Sequence, residues 1–115
     1  MRQRTLILAS TSLHLRQRGR DTIHCALAAL ALDWPTRVLL LDDAGEWLHA
    51  LDEADAGLDR FARALPSLES FGLEHLGVCS RLSPPATRLT TGWLQALDSA
   101  GVRAWLRWAD QVLHP

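Results

Sequence analysis

Short apolar runs bounded by polar or turn residues recur along the chain and are typical of buried strands. They cover residues 5–10, 37–41, 74–80 and 111–114. The first two runs are apolar almost throughout rather than alternating, as in the strands of a parallel sheet that is covered on both faces. The pattern therefore predicts a parallel sheet at the centre of the fold.

A helix is predicted between the first two strands. Residues 21–32 are rich in Ala and Leu, which are strong helix formers, and are apolar nearly all round, which indicates burial on more than one side. We expect the arginine-rich segment around Gly19 to be a loop and Asp21 to be the N-cap or a first-turn carboxylate. Trp34-Pro35 ends the helix. Strand, helix and strand in this order indicate a βαβ unit.

The rest of the chain gives weaker patterns. Residues 46–51 and 58–68 have helical spacing, and Pro66 either kinks one helix or separates two. Residues 93–100 fit a helix by propensity and a strand by alternation. Ser99 is predicted to cap the helix that follows it.

Composition limits the organisation and the function. The 115 residues have room for one domain, residues 1–115, and their net charge of −1 gives no electrostatic case for binding nucleic acid directly. All twelve basic residues are arginines, so a P-loop lysine and a pyridoxal-phosphate Schiff base are excluded. No apolar run is long enough to span a membrane. Residues 13–18 stand where a signal peptide would have its cleavage site, and they lack the small residues that such a site requires. We expect a cytoplasmic protein.

Most classes of site find no support in the sequence. The five histidines make no tight metal-ligand motif with a cysteine, so no metal site is expected. The loop at residues 10–14 has hydroxyls that could face a phosphate, but it lacks the glycine spacing of nucleotide sites and fits a polar surface loop better. Asp42 and Asp43 fit a ligand site and a helix cap equally well, so neither is assigned a role. We expect no resident cofactor.

The two cysteines differ in position. Cys25 lies in the Ala/Leu helix, where a free thiol packs as a small hydrophobe. Cys79 comes at the carboxyl end of a predicted strand, where a thiolate can be stabilised by backbone amides and by Arg81 or Arg88. Cys79 is therefore the candidate reactive residue, with Arg81 as possible thiolate support. The alternative is a buried structural thiol.

An ordered set of segments makes the chain resemble the DsrE/DsrF-like family, specifically its TusC/DsrF type. The segments are residues 18–21 before the Ala/Leu helix, the strand and acidic turn at 38–44, the helix and turn at 61–74, Val78-Cys79, and residues 108–113. The resemblance implies a flavodoxin-like α/β fold, a three-layer sandwich with a mostly parallel sheet of about five strands. It also implies a strand near residues 92–97 and a helix near 100–107.

The resemblance implies a function as well. Such subunits join sister DsrE/TusD-like and DsrH/TusB-like subunits in a hetero-oligomer, or assemble as a homo-oligomer. They relay sulfur as cysteine persulfide between donor and acceptor proteins, for tRNA 2-thiouridine formation or intracellular sulfur oxidation. In the sister type, the position matching Cys79 carries the sulfur. The chain departs from the pattern at His14-Leu15, where the family has His-Gly, and at residues 80–85, whose prolines prevent a regular helix.

Two other functions remain open at this point. The chain fits a structural subunit of such an oligomer, in which another chain carries the sulfur. In that case Trp93, Trp105 and Trp108 are candidate anchors of the subunit contacts. It also fits a small-ligand-binding flavodoxin-like domain.

Overall fold

The computed structural model describes residues 2–10, 16–41, 67–79 and 93–115, with the side chains of residues 16–20 left aside. In this part of the chain, five strands and two long helices follow one another in an order typical of α/β proteins. The elements are β1 (Thr5–Ala9), α1 (Arg16–Ala31), β2 (Thr36–Leu41), β3 (His75–Cys79), β4 (Leu94–Ala96), α2 (Ser99–Trp108) and β5 (Gln111–Leu113).

The five strands form one sheet in the order β4-β3-β2-β1-β5, and every neighbouring pair is parallel. The chain builds the sheet outward from β1 to β4 and then returns to add β5 on the other side of β1. The strand order therefore reverses between β1 and β5, which is where open α/β sheets form a crevice at their carboxyl edge. The predicted α/β class is confirmed, with an entirely parallel sheet.

Helices cover the two faces of the sheet. On one face, Ile23 and Ala26 of α1 pack with Ile7, Val38 and other buried strand residues. On the other face, Trp105 of α2 packs on Leu6 and Leu39. Because strand side chains alternate between faces, consecutive residues of β1 and β2 pack in the hydrophobic cores on opposite faces of the sheet. The result is the three-layer sandwich that the resemblance implied.

Helix α1 begins earlier than the sequence pattern indicated. It starts at Arg16, so the expected loop around Gly19 is helical and Asp21 is neither the N-cap nor a first-turn residue. Arginine and glutamine are good helix formers, and an interior glycine costs only about 1 kcal/mol relative to alanine. The tertiary contacts of the apolar residues further along α1 are sufficient to carry the helix through this glycine.

The C-terminal third contains a strand followed by a helix, as the resemblance implied. Residues 94–96 are strand β4, which decides between the two earlier alternatives. The N-cap of α2 is Asp98 rather than Ser99, because its Oδ1 accepts a hydrogen bond from the backbone N–H of Gly101 at 2.8 Å. A carboxylate is a strong acceptor at a helix N-terminus, so it takes the cap from the adjacent serine.

Some sequence predictions lie outside the described residues. These are the helix at residues 46–51, most of the helix at 58–68 and the loop at 83–85; of the second helix, residues 67 and 68 are helical. None of the described helices is both long and apolar enough to cross a membrane.

Candidate functional site

Cys79 is the last residue of β3 and pairs with Leu41, the last residue of β2. Its thiol is free and half-buried. The position is the one that the sequence predicted, at the carboxyl end of an inner strand. A thiol there is held rigidly by the sheet and remains partly accessible.

The face on which Cys79 lies follows from Gly77, two residues earlier. A Cβ atom at Gly77 would come within 2.7 Å of two ring carbons of Trp105, so the open side of Gly77 faces α2. Residues two apart in a strand share a face. Cys79 therefore points to the α2 side of the sheet, as does its neighbour Leu41, which packs in the same cluster.

Trp105 is fixed over β3 by a stack of charged and aromatic groups. The Arg37 guanidinium lies 4.0 Å from the ring centroid of Trp108 and 5.1 Å from that of Trp105. Glu74 Oε1 accepts hydrogen bonds from Nη2 and Nε of the same arginine at 2.6 and 3.1 Å. Since Arg37 lies near the start of β2 and Glu74 immediately precedes β3, this stack holds α2 against the strand that carries Cys79.

The three tryptophans considered as subunit anchors are all engaged within the chain. Trp105 is buried, Trp108 is half-buried under Arg37, and the Trp93 indole N–H donates to the Leu73 carbonyl at 3.0 Å. Trp105 is therefore a core residue. Trp93 and Trp108 expose only part of their rings.

His75 lies too far from Cys79 to contact its thiol. Its ring is 6.4 Å from that of Trp105, and its Nδ1 lies 3.3 Å from Gln95 Nε2. It begins the strand that Cys79 ends, which separates the two Cα atoms by about 13 Å. Among the described residues, no group of three or more His, Cys, Asp or Glu is arranged to hold a metal ion.

A polar pair that the sequence analysis did not single out lies at the same edge of the sheet. Ser10 Oγ and His114 Nε2 are 3.0 Å apart, at the carboxyl ends of β1 and β5, where the strand order reverses. The signal available in the sequence was that each residue is the last of an apolar run. The pairing itself joins residues 104 positions apart, so only the strand order brings them together.

The other residues considered in the sequence analysis lie either on the opposite face of the sheet from Cys79 or outside the described residues. Cys25 is half-buried in α1 and packs against the core on the α1 side of the sheet, away from Cys79. Arg81 and Arg88, Asp42 and Asp43, and His14-Leu15 lie outside the described residues.

A cleft of about 210 Å³ opens elsewhere, lined by residues that include Trp34, Pro35 and Phe71. Because these residues come just before β2 and β3, the cleft lies toward the amino ends of the strands. Cys79 ends β3 at the opposite edge of the sheet. The cleft is therefore not part of the thiol site.

The chain is similar in fold to the YchN protein of E. coli. The crystal structure of that protein superposes with a TM-score of 0.71 over 98% of this chain and 99% of the other, at 15% sequence identity. The architecture is therefore the flavodoxin-like α/β fold of YchN.

Sequence comparison adds nothing to the structural likeness: no protein-family model and no curated protein matches the chain. At 15% identity the structural match establishes the fold and not the roles of individual residues.

Proposed function

We propose that this protein is a subunit of a persulfide-based sulfur-relay complex and that Cys79 carries the sulfur. The observation that supports the proposal most strongly is the free, half-buried Cys79 thiol at the carboxyl end of β3 in a DsrE/DsrF-like sheet. Strand ends at this edge are where α/β sheets present their functional groups.

The chemistry is a sulfur transfer between thiols. The Cys79 thiolate attacks the outer sulfur of a donor persulfide, forms a new S–S bond and releases the donor thiol, by the same logic as thiol–disulfide exchange. A partner cysteine then removes that outer sulfur in a second transfer. Partial burial suits this role, because a persulfide must be shielded from bulk oxidants and still be reachable by a partner. Arg81 is proposed as electrostatic support for the thiolate.

The proposal includes an assembly. We infer a TusC/DsrF-type subunit that works in the cytoplasm with sister DsrE/TusD-like and DsrH/TusB-like chains, or with copies of itself. Donor and acceptor proteins deliver and remove the sulfur, for tRNA 2-thiouridine formation or for sulfur oxidation, and the chain itself binds no nucleic acid.

A second candidate function is a structural subunit of the same oligomer. The half-burial of Cys79 supports it as well, since a structural thiol at a strand end has the same partial exposure. The two functions differ in whether Cys79 accepts sulfur.

Intact mass spectrometry separates these functions. The protein is incubated with a cysteine desulfurase or a rhodanese and its sulfur donor, together with the Cys25→Ser and Cys79→Ser variants. We expect wild type and Cys25→Ser to gain one sulfur atom and Cys79→Ser to gain none. If neither cysteine is loaded by donors that load a known carrier, the structural role replaces the proposal.

A further inference from the structure

The row of side chains that contains Cys79 crosses three neighbouring strands. The register of β1 with β2, continued by one residue, places Ser10 beside Leu41, and Leu41 pairs with Cys79. Leu8 and Leu41 both pack on the α2 side of the sheet. Because side chains alternate along a strand, Ser10 presents its hydroxyl on this same face. Ser10 and Cys79 therefore flank Leu41 on one face of the carboxyl edge.

The register of β1 with β5, continued by one residue, places His114 beside Leu8, one step before Ser10 on the same face of the sheet. Leu113 packs on the α1 side of the sheet, so the residue that follows it points to the α2 side. The ring reaches Ser10 with an Nε2–Oγ distance of 3.0 Å. Strand β1, which lies beside β5, has no titratable side chain, and Arg4 before it pairs with Asp110 instead. The edge thus carries, in order, an imidazole, a hydroxyl and a thiol.

We propose that Ser10 is a catalytic residue of sulfur transfer to Cys79, donating a proton to the thiolate that leaves the donor, and that His114 supplies this proton through Ser10. The inference rests on the proposed function of Cys79. It also assigns the substrate class: a persulfide of an alkyl thiol, whose basic thiolate leaves faster when it is protonated. His114 acts through Ser10 and is a positioning residue.

The step balances in atoms and electrons. The Cys79 thiolate attacks the outer sulfur of R–S–SH, and the donor S–S bond breaks with its electron pair leaving on R–S. The Ser10 hydroxyl gives its proton to R–S⁻ and takes the Nε2 proton of the His114 imidazolium. The products are the Cys79 persulfide, R–SH and a neutral imidazole, so no external oxidant or reductant is needed.

The spacing of the strands fits this reaction. Two strand spacings separate Ser10 from Cys79, which places their Cα atoms about 10 Å apart. Attack on a disulfide-type bond aligns three sulfur atoms, and two S–S bonds in line span about 4 Å before stretching. A hydrogen bond from the hydroxyl to the last sulfur adds about 3 Å. Rotamers of the Cys79 and Ser10 side chains that point toward Leu41 would close the remaining gap of about 3 Å.

The test uses two sulfur probes of opposite leaving ability. In a Cys25→Ser background, single-turnover loading of Cys79 is measured with glutathione persulfide, which releases an alkyl thiolate. The same proteins then react with a nitro-substituted aromatic disulfide, whose thiolate leaves without a proton. The variants are Ser10→Ala and His114→Gln, with the exposed Ser70→Ala and His24→Gln as matched controls.

We expect Ser10→Ala and His114→Gln to slow loading from the persulfide by roughly 100-fold, the lower end of general acid catalysis. Both variants should react with the aromatic disulfide at the wild-type rate, which also shows that the Cys79 site is folded.

Two results would count against these conclusions in different ways. Equal persulfide loading rates in wild type, Ser10→Ala and His114→Gln would overturn the role of the pair and leave the carrier function intact. Failure of wild-type Cys79 to accept sulfur, despite normal reaction with the aromatic disulfide, would overturn the carrier function itself.

Discussion

Two residues end helical segments in the left-handed region of backbone space. Gly72 has φ of 103° after the helical residues 67–70, where glycine adopts this conformation at no steric cost. Asp33 has φ of 58° after α1, and its N–H donates to the Leu30 carbonyl at 2.9 Å. Both ends have the hydrogen bonds of a Schellman motif. Only the second places a side chain where Cβ is crowded.

We predict that Asp33→Gly is more stable to urea unfolding than Asp33→Ala by about 1 kcal/mol, because alanine keeps the crowded Cβ at positive φ and glycine does not. Both variants lose the ion pair between Arg2 and Asp33, whose side chains are 70% and 80% exposed. This loss therefore lowers the free energy of unfolding of both variants equally and does not affect their difference. Equal midpoints for the two variants would show that φ at this position carries no strain.

At the scale of elements, α2 is held to the sheet by contacts that also shape the thiol site. The Trp105 ring lies on Gly77 in β3, and the Arg37 stack holds the amino ends of β2 and β3 under the same helix. Each contact joins residues far apart in the chain. Each therefore gives a mutation that tests the packing without touching Cys79.

Gly77→Ala is expected to destabilise the protein by about 2 kcal/mol, since the new methyl group would overlap the Trp105 ring and force α2 away from β3. Guanidinium unfolding of both single variants and of the double variant Gly77→Ala/Trp105→Leu completes a cycle. The double variant should be more stable than the sum of the two single losses implies, because leucine removes the overlap. Simple additivity would mean that the two residues are not in contact.

The cation–aromatic stack gives a second expectation at this scale. Arg37→Lys should lower the free energy of unfolding by about 1–2 kcal/mol, because a lysine ammonium can neither lie flat on Trp108 nor make the two hydrogen bonds to Glu74. The exposed Arg103→Lys serves as the control. A thermal melt in which both substitutions have the same small effect would contradict a structural role for the stack.

At the scale of the whole molecule, one ion pair ties the start of β1 to the start of β5. Asp110 Oδ2 accepts from the Arg4 backbone N–H at 2.9 Å, and its Oδ1 lies 3.2 Å from Arg4 Nη2. The hydrogen bonds from the Arg4 side chain and backbone lower the pKa of Asp110 below its usual value of 3.8. The Arg4–Asp110 ion pair helps to hold the edge strand β5, and with it His114, on the sheet.

The lowered pKa of Asp110 predicts how the stability contributed by the Arg4–Asp110 ion pair depends on pH. A carboxylate whose pKa is lower in the folded state contributes stability above its unfolded pKa, and this contribution is lost as the pH falls through the folded pKa. Asp110→Asn should therefore melt at a lower temperature than wild type near neutral pH, and the gap should narrow once the pH falls below the unfolded carboxyl value of 3.8 and close as it passes through the lower folded pKa. Melting curves recorded from pH 2 to pH 7 measure this. A gap that stays constant with pH would exclude the ionised carboxylate as its cause.

The residues of the candidate site differ in how far local sequence patterns predict their positions. The position of Cys79 at the carboxyl end of a strand was predictable, because a cysteine near the end of an apolar run can be recognised from the sequence alone. Ser10 and His114 were not predictable as a pair, since nothing local links residues 104 positions apart. The start of α1 was placed too late because local propensity cannot weigh a glycine against the tertiary packing of the rest of the helix.

By itself, the sequence determined that short buried strands alternate with helices and that the sheet is parallel, because continuous apolar runs are stable only between two covering layers. Only the tertiary structure decided which strands are neighbours, that β5 lies beside β1, and that Asp98 rather than Ser99 caps α2. The physical reason is that several strands compete for each pairing position and several residues compete for each cap, all with similar local propensities. Their outcome depends on the packing of the whole chain around Trp105 and the α1 face of the sheet.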